Sequence, residues 1–285
     1  MNTSIKAYAK INLAINVYDK LDNGYHNVDM VTIPLALHDI LELESLPNGY
    51  ESFITSDDDS LPTDESNLSS VAFNKLKEKL KLDKNVLIHI YKRIPMCAGL
   101  GGGSADAAAV INAILKASKI KIKEEELVSL ASEIGGDVAF CLFNKPARCR
   151  GIGEKLEFFS LKKKYYVLLI KPKEGVSTAQ AYQDYDKLDS KPEFSNIERL
   201  ISGLQTGNED IIVEEMKNGL QSSAIKIVPE IQNIIDTLKN DGFPMTMMSG
   251  SGSTVFCLST NHHAISEEMK KLSRLNYSLI LTTTL

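Results

Sequence analysis

The chain contains 285 residues, enough for one large domain or for two of ordinary size. Hydrophobic residues make up 43% of the chain and charged residues 24%, a balance typical of globular proteins and not of disordered ones. The formal net charge is −5, so the protein as a whole has no basic field that would hold a nucleic-acid backbone. We therefore expect no nucleic-acid partner.

Signals for export or membrane insertion are not evident in the sequence. The first residues lack a basic segment followed by an apolar one, and no apolar run approaches the roughly 20 residues needed to cross a bilayer. The four cysteines, Cys97, Cys141, Cys149 and Cys257, form no Cys-x-x-Cys pair and fit neither a zinc site nor a dense disulfide framework. We expect reduced thiols, a cytoplasmic location and no membrane partner.

The first predicted element is a long half-buried strand from Ile5 to Val17. Apolar side chains occupy its odd-numbered positions, and successive side chains of a strand point to opposite faces. Tyr8, Lys10 and Asn12 therefore share the polar face. Taken alone, Lys10 fits an ordinary outward-facing lysine, and its neighbours fit an ordinary exposed face.

A turn signal at residues 22–24 is followed by Tyr25 and His26. Tyr25 could stack on a base or a sugar, and His26 could hydrogen-bond to it. A partly exposed aromatic corner is the plainer interpretation. Beyond this point the pattern predicts a strand over residues 29–43 with an interruption near Pro34, a loop over 57–66, a helix over 68–80 and a strand over 86–94.

The strongest local signal is a glycine-rich loop between a predicted strand and a predicted helix, Pro95-Met96-Cys97-Ala98-Gly99-Leu100-Gly101-Gly102-Gly103-Ser104. Glycine allows close backbone approach to a ligand and positive φ. The first amides of a helix have no partners inside it and the helix dipole is positive there, so the loop is suited to hold phosphates. A tight structural turn is the alternative, but four glycines in five positions exceed what a turn requires.

Common nucleotide-binding and hydrolase motifs do not account for this loop. No Gly-Lys-Ser/Thr follows it, so it is not a Walker A sequence, and Ser104 stands where a Gly-x-Gly-x-x-Gly motif would have its third glycine. Ser104 could cap the helix, contact a phosphate or bind Mg²⁺ through its hydroxyl. No His-Glu-x-x-His or Gly-x-Ser-x-Gly element supports a metallopeptidase or a serine hydrolase.

A second candidate for chemistry is Asp137, which follows Gly135 and Gly136 at the end of a predicted helix over residues 124–134. Taken alone, an acid at this place is usually the cap of the next helix. The remaining chain predicts a strand over 165–170, a loop over 183–195, a helix beginning at Pro229, and strands over 245–248 and 255–258 joined by a small-residue loop. Strands and helices that do not alternate strictly argue for an α+β fold with a boundary near residue 160.

Taken in chain order, these motifs resemble those of the GHMP kinase superfamily, a group of small-molecule kinases. The resemblance spans nearly the whole chain and rests on Ala9-Lys10-Ile11-Asn12-Leu13, Gly24-Tyr25-His26, residues 95–106, residues 135–140, residues 151–154 and residues 248–253. The first two elements are most similar to members that phosphorylate a cytidine-diphosphate-linked polyol in non-mevalonate isoprenoid synthesis. Leu21 and Asn23 stand where an Arg and an Asp are usual, and Gly136 and Ala139 stand where an Ala and a Pro are usual.

The resemblance implies a fold and a set of roles. It implies a ribosomal-protein-S5-domain-2-like N-terminal domain over residues 1–160, a ferredoxin-like C-terminal domain over residues 161–285, and ATP and Mg²⁺ as cofactors. Lys10 and Asp137 would be the catalytic pair. ATP would be held by Asn67, Pro95, Met96, Cys97, Ala98, Gly99, Leu100, Gly101, Gly102, Gly103, Ser104 and Ala105. The small-molecule substrate would be held by Asn12, Tyr25, His26 and Thr178.

Some alternatives stay open at this level. A GHMP kinase of another specificity, such as mevalonate, phosphomevalonate or homoserine, would share most of these motifs. A regulator that kept the loop but lost catalysis would bind ATP or a metabolite and release no ADP. The protein is expected to be a monomer or a homodimer, and Ser104 is the one metal contact that the motifs suggest.

Overall fold

The computed structural model describes residues 2–285, which form strands and helices in a mixed order. The strands are β1 (Asn2–Lys20), β2 (His26–Ser45), β3 (Phe53–Ser56), β4 (Val86–Tyr91), β5 (Ala147–Gly151), β6 (Lys155–Phe158), β7 (Tyr166–Lys171), β8 (Lys217–Asn218), β9 (Thr246–Met248), β10 (Val255–Ser259) and β11 (Ser278–Thr283). The helices are α1 (Leu68–Leu80), α2 (Gly102–Ser118), α3 (Glu124–Ser132), α4 (Val138–Phe143), α5 (Thr178–Asp186), α6 (Ile197–Thr206), α7 (Glu209–Glu215), α8 (Gln221–Ile227), α9 (Glu230–Asn240) and α10 (His262–Leu272).

Two sheets organise these elements. The first is seven-stranded, with the order β3-β4-β2-β1-β8, β5 paired to β2, and β6 paired to β5. The second is four-stranded, with the order β11-β7-β10-β9 and antiparallel pairing throughout. This strand order is the one expected of a ferredoxin-like domain, and the predicted α+β fold is confirmed. The proposed boundary after residue 160 stays a prediction, and β8 joins the first sheet from beyond it.

The expected interruption of the second strand near Pro34 is wrong, because β2 continues through this residue. The pairing with β1 shifts here instead: Tyr8 lies opposite His38, and Lys10 lies opposite Pro34. Pro34 has no N–H and cannot donate a hydrogen bond to β1 at this point. The N–H of Lys10 donates to the carbonyl of Leu100, in the glycine-rich loop, at 3.0 Å. The irregularity therefore ties the glycine-rich loop to β1 beside Lys10.

Helix α2 lies at the centre of the N-terminal part and contacts α1, α4, β1 and β2. Its many small side chains allow the neighbouring elements to approach closely, and its buried residues are Ala105, Asp106, Ala107, Ala108, Ala109, Val110, Ile111, Ala113 and Ile114. It begins at Gly102, inside the segment predicted as the glycine-rich loop. Burial on several sides holds the N-terminal end of α2 in one place, which is where the glycine-rich loop arrives.

The loop expected over residues 183–195 is wrong in its first part, because α5 extends to Asp186. Ala181 and Tyr185, four positions apart on one face of this helix, are both buried, and this burial outweighs the polar composition of the segment. In the part of the chain that is described, none of the helices has the length and apolar character required to span a bilayer.

Candidate active site

A cleft of about 810 Å³ opens where the N-terminal end of α2 meets the β1–β2 turn and the loops that follow β7 and β9. Most of the predicted site residues line it: Lys10, Asn12, Tyr25, His26, Pro95, Met96, Cys97, Ala98, Gly99, Leu100, Gly101, Gly102, Gly103, Ser104, Asp137 and Thr178. These residues are spread over positions 10–178 of the chain, and the fold gathers them around one cavity.

Lys10 and Asp137 form an ion pair at the mouth of the glycine-rich loop. Lys10 Nζ lies 3.2 Å from Asp137 Oδ2, and the side chains are 5% and 30% exposed, respectively. The carboxylate is therefore open to the cleft while the ammonium is nearly enclosed. A base and a cation in contact beside a loop suited to phosphates can act on a hydroxyl placed next to them.

A buried network of polar side chains fixes the position of the Lys10 ammonium. Lys10 Nζ donates to Asn12 Oδ1 at 2.8 Å, and Asn12 Nδ2 in turn donates to Thr32 Oγ1 at 2.9 Å. Asn12 and Thr32 are almost completely buried. Every member has a partner, so the network holds the lysine in a single orientation. Asn12 thus lines the cleft and also accepts the hydrogen bond that orients Lys10.

Asp137 immediately precedes α4, but its side chain makes no hydrogen bond to the first turn of that helix. Asp137 therefore does not cap α4 through its side chain, and its carboxylate pairs with Lys10 instead. Gly136 passes against the β5–β6 turn, where an added Cβ would lie 2.9 Å from the carbonyl oxygen of Ile152. This packing sets the backbone that presents Asp137 to the cleft.

The glycine-rich loop needs its glycines for both conformation and space. Gly101 precedes α2 with φ of 70°, in the left-handed region that favours glycine, and an added Cβ would lie 3.0 Å from Cγ and Cε of Lys10. Hydrogen bonding inside α2 begins with Ala105, whose N–H donates to the Gly101 carbonyl at 2.8 Å. The amides of Gly102, Gly103 and Ser104 therefore remain available at the positive end of the helix, facing the cleft.

The small-residue loop after β9 packs directly on the glycine-rich loop. Ser249 Oγ donates to the Gly99 carbonyl at 3.0 Å, and an added Cβ on Gly99 would lie only 2.1 Å from the Ser249 carbonyl oxygen. Thr178 reaches the same region, with its Oγ1 2.9 Å from Ser251 Oγ. The loop is therefore part of the wall of the cleft and more than a connection between two strands.

Tyr25 and His26 lie at the other end of the cleft, after the β1–β2 turn. Tyr25 is 55% exposed, whereas His26 is buried and stacks on Tyr182, with ring centroids 5.0 Å apart. His26 Nε2 lies 2.6 Å from Asp186 Oδ1, and Lys20 Nζ lies 3.5 Å from the other oxygen of that carboxylate. Burial alone would raise the pKa of Asp186, but the contacts with His26 and Lys20 outweigh it and lower the pKa.

Lys92 is a cleft residue that sequence reasoning missed. Lys92 Nζ contacts Asp39 Oδ2 at 2.6 Å and Asp106 Oδ2 at 3.0 Å, and all three side chains are buried. Burial raises the pKa of Asp106 to about 7, against the lowering effect of the lysine. An added Cβ on Gly102 would lie 3.3 Å from Lys92 Nζ, so the ammonium lies beneath the start of α2. The sequence did contain a signal for this buried charge, because Lys92 falls on the apolar face of the alternating segment 86–94.

Two predicted ATP contacts lie outside the cleft lining within residues 2–285. Asn67 caps α1: its Oδ1 accepts from the N–H of Ser69 at 2.9 Å, and its Nδ2 donates to the Pro62 carbonyl at 2.7 Å. Ala105 is buried inside the first turns of α2. The neighbours of Asn67, Leu61 and Leu68, do line the cleft. The roles of Asn67 and Ala105 toward ATP stay predictions.

Comparison with known proteins adds an independent line of evidence. The family profile of the GHMP kinases N terminal domain matches residues 67–145, and that of the GHMP kinases C terminal region matches residues 200–278. A protein of Caldicellulosiruptor bescii is 36% identical over 282 residues, which are 98% of this chain and 97% of that protein. The chain belongs to the GHMP kinase family. It is accordingly a small-molecule kinase.

Several relatives of this GHMP kinase carry one name. The protein of Caldicellulosiruptor bescii and one of Bacillus pumilus, 40% identical over 89% of this chain and 86% of that protein, are both called 4-diphosphocytidyl-2-C-methyl-D-erythritol kinase. A crystal structure of 4-(cytidine 5'-diphospho)-2C-methyl-D-erythritol kinase matches with a TM-score of 0.80 and 28% identity, covering 99% of this chain and 98% of that one. A homoserine kinase from Cytophaga hutchinsonii matches with a TM-score of 0.76 but 20% identity, covering 99% and 94%, and shares the fold.

Proposed function

We propose that this GHMP kinase transfers the γ-phosphoryl group of ATP to the 2-hydroxyl of 4-diphosphocytidyl-2-C-methyl-D-erythritol, a step of non-mevalonate isoprenoid precursor synthesis. One observation carries the proposal: the 3.2 Å contact between Lys10 and Asp137 lies in the same cleft as the glycine-rich loop and the Tyr25–His26 pair. The names of the relatives, which cover nearly the whole chain, support this substrate.

The glycine-rich loop fits the phosphates of ATP. The free amides at the start of α2 offer hydrogen bonds to an anion, and the helix dipole offers positive charge. An added Cβ on Gly135 would lie 3.8 Å from Ser104 Oγ, so this hydroxyl lies close to the segment that carries Asp137. Ser104 is thus the residue that would meet Mg²⁺ bound with ATP. The ion would neutralise charge on the phosphoryl oxygens.

The Lys10–Asp137 pair would serve the acceptor hydroxyl. Asp137 accepts the proton of the hydroxyl as it attacks, and Lys10 stabilises negative charge on the attacking oxygen and the phosphoryl group. A carboxylate is a weak base, so its alignment decides how well it works. The buried chain from Lys10 through Asn12 to Thr32 supplies that alignment.

The Tyr25–His26 end of the cleft would hold the nucleoside of the substrate. The exposed ring of Tyr25 offers a face on which a base can stack, and stacking of this kind does not require a particular base. His26 offers ring nitrogens for hydrogen bonding beside it. Thr178 and Ser251 lie between this end and the glycine-rich loop, where the polyol and its diphosphate would pass.

A coupled ADP-release assay over a panel of alcohols tests the proposal. The panel contains the cytidyl substrate, mevalonate, phosphomevalonate and homoserine, each with Mg-ATP. We expect the highest kcat/KM with the cytidyl substrate. Preference for an acceptor without cytidine would refute the assignment of Tyr25 and His26, and ATP binding without ADP release in every case would favour a regulator. A cytoplasmic location and a monomeric or homodimeric state also remain proposals.

A further inference from the structure

His26 reaches the nucleoside end of the cleft from a fixed position that three elements share. It begins β2, while Lys20, its partner in the β1–β2 register, ends β1 and Asp186 ends α5. The His26 ring is held on one side by stacking on Tyr182 and on its edge by the 2.6 Å contact with Asp186. With its side chain 4% exposed, His26 has no freedom to turn toward another partner.

The contact with Asp186 determines which ring nitrogen carries the proton. An ionised carboxylate only accepts hydrogen bonds, so Nε2 of His26 must be the protonated nitrogen. In a neutral imidazole the other nitrogen, Nδ1, is then an acceptor. Among residues 2–285, Nδ1 has no hydrogen-bond partner of its own, and His26 lines the cleft. An acceptor is therefore left for a ligand.

Asp186 has a second cationic neighbour besides the His26 ring. The Lys20 ammonium lies 3.5 Å from Asp186 Oδ2, so His26 is not the only group that balances this carboxylate. The other titratable side chains that face His26 are Tyr182, stacked on it, and Tyr185, whose ring meets it edge-on. Both contacts are made by aromatic rings, so Asp186 is the carboxylate that contacts His26.

Cytosine and uracil differ at the position that such an acceptor would meet. Cytosine carries an amino group that donates hydrogen bonds, whereas uracil and thymine carry a carbonyl that accepts them. Resting on the proposed function, we propose that Asp186 is a positioning residue that holds His26 with Nδ1 as an acceptor, so that the site takes a cytosine nucleotide and rejects a uracil nucleotide. Asp186 acts through His26 and touches no substrate in this account.

Asp186→Asn tests the proposal because the change in shape is minimal. The amide would offer an N–H to Nε2 and favour the other tautomer, which points a donor from Nδ1 at the base; an aspartate-to-asparagine change beside a histidine acts in this way in serine proteases. The matched control is Asp184→Asn, on the same helix, where the half-buried carboxylate accepts from Gln180 and Lys187 and lies outside the cleft.

The measurement is kcat/KM for the cytidyl substrate and for its uridyl analogue, at about pH 8, above the ordinary histidine pKa of about 6.5. We expect the wild type and Asp184→Asn to prefer the cytidyl substrate and Asp186→Asn to lose at least about tenfold of that preference, mainly through KM. A merely structural role would weaken both substrates alike, so an unchanged preference ratio in Asp186→Asn would overturn the inference.

Binding of CDP and UDP, measured by calorimetry on the same three proteins, separates this inference from the proposed function. If the wild type phosphorylates neither substrate, the proposed function fails, but a preference for CDP that Asp186→Asn abolishes would still support the role of Asp186. If the wild type turns over the cytidyl substrate and binds CDP and UDP equally, the proposed function stands and the inference about Asp186 is refuted.

Discussion

Replacing Gly101 with alanine perturbs the contact between the glycine-rich loop and the catalytic lysine. Gly101 has φ of 70°, and its added Cβ would lie 3.0 Å from both Cγ and Cε of Lys10. The methyl group therefore strains the backbone and presses on the side chain whose ammonium lies 3.2 Å from Asp137. Because Asn12 and Thr32 hold that ammonium from behind, Lys10 cannot move away without breaking a buried hydrogen bond.

Two magnitudes follow for Gly101→Ala. A left-handed backbone costs a residue with a Cβ about 1–2 kcal/mol of stability. A misplacement of about 1 Å in a catalytic group can cost roughly 10² in rate. We therefore expect a loss of about 1–2 kcal/mol in the free energy of unfolding and a fall of roughly 100-fold in kcat.

Urea unfolding and the coupled ADP-release assay measure the two effects of Gly101→Ala separately. Gly242→Ala is the matched control, because Gly242 has φ of 88° but an added Cβ would meet no atom within 4 Å. It should lose similar stability and keep its kcat. If Gly101→Ala also kept the wild-type kcat, the contact between the loop and Lys10 would have no catalytic importance, and this reasoning would be refuted.

Two further predictions concern the buried charges and the nucleoside end. Burial raises the pKa of Asp106 to about 7 in the folded protein, above the value of about 3.9 in an unfolded chain. Its contribution to stability is therefore greatest below the unfolded pKa and is lost as the pH rises to about 7. We expect the free energy of unfolding, measured with urea at about pH 5 and about pH 8, to fall less with rising pH in Asp106→Asn than in the wild type. An equal fall in the two proteins would contradict the raised pKa of Asp106. Tyr25→Ala should change the free energy of unfolding by less than about 0.5 kcal/mol because the ring is exposed. In steady-state kinetics, KM for the cytidyl substrate should rise roughly tenfold, and KM for ATP should stay unchanged.

The strands and the loop that build the phosphate end could be predicted because their signals are local. Alternation placed Lys10 and Asn12 on one face, and the density of glycines indicated an anion site before α2. Neither signal could measure the distance from Lys10 to Asp137, because that contact depends on how β1, α2 and the α3–α4 connection pack. The resemblance to GHMP kinases, and not the residue pattern, paired these two side chains.

The parts that escaped prediction depend on partners remote in the chain. Lys92 occupies an inward position of an alternating segment, but its partners Asp39 and Asp106 come from β2 and α2. Asp186 lay in a segment whose acids, serine and proline suggested a loop, whereas burial of Tyr185 extends α5 to include it. In both cases tertiary packing decided the outcome, and local composition did not contain the information.

The role of Asp137 is tested most directly by the turnover of Asp137→Ala with Mg-ATP and the cytidyl substrate, with ATP affinity measured on the same protein. Asp137 is the side chain placed to take the proton of the acceptor hydroxyl, and help of this kind is worth roughly 10²–10⁴ in rate. We expect kcat to fall by at least about 100-fold while the Kd for ATP stays near that of the wild type. Near-wild-type turnover in Asp137→Ala would contradict the mechanism.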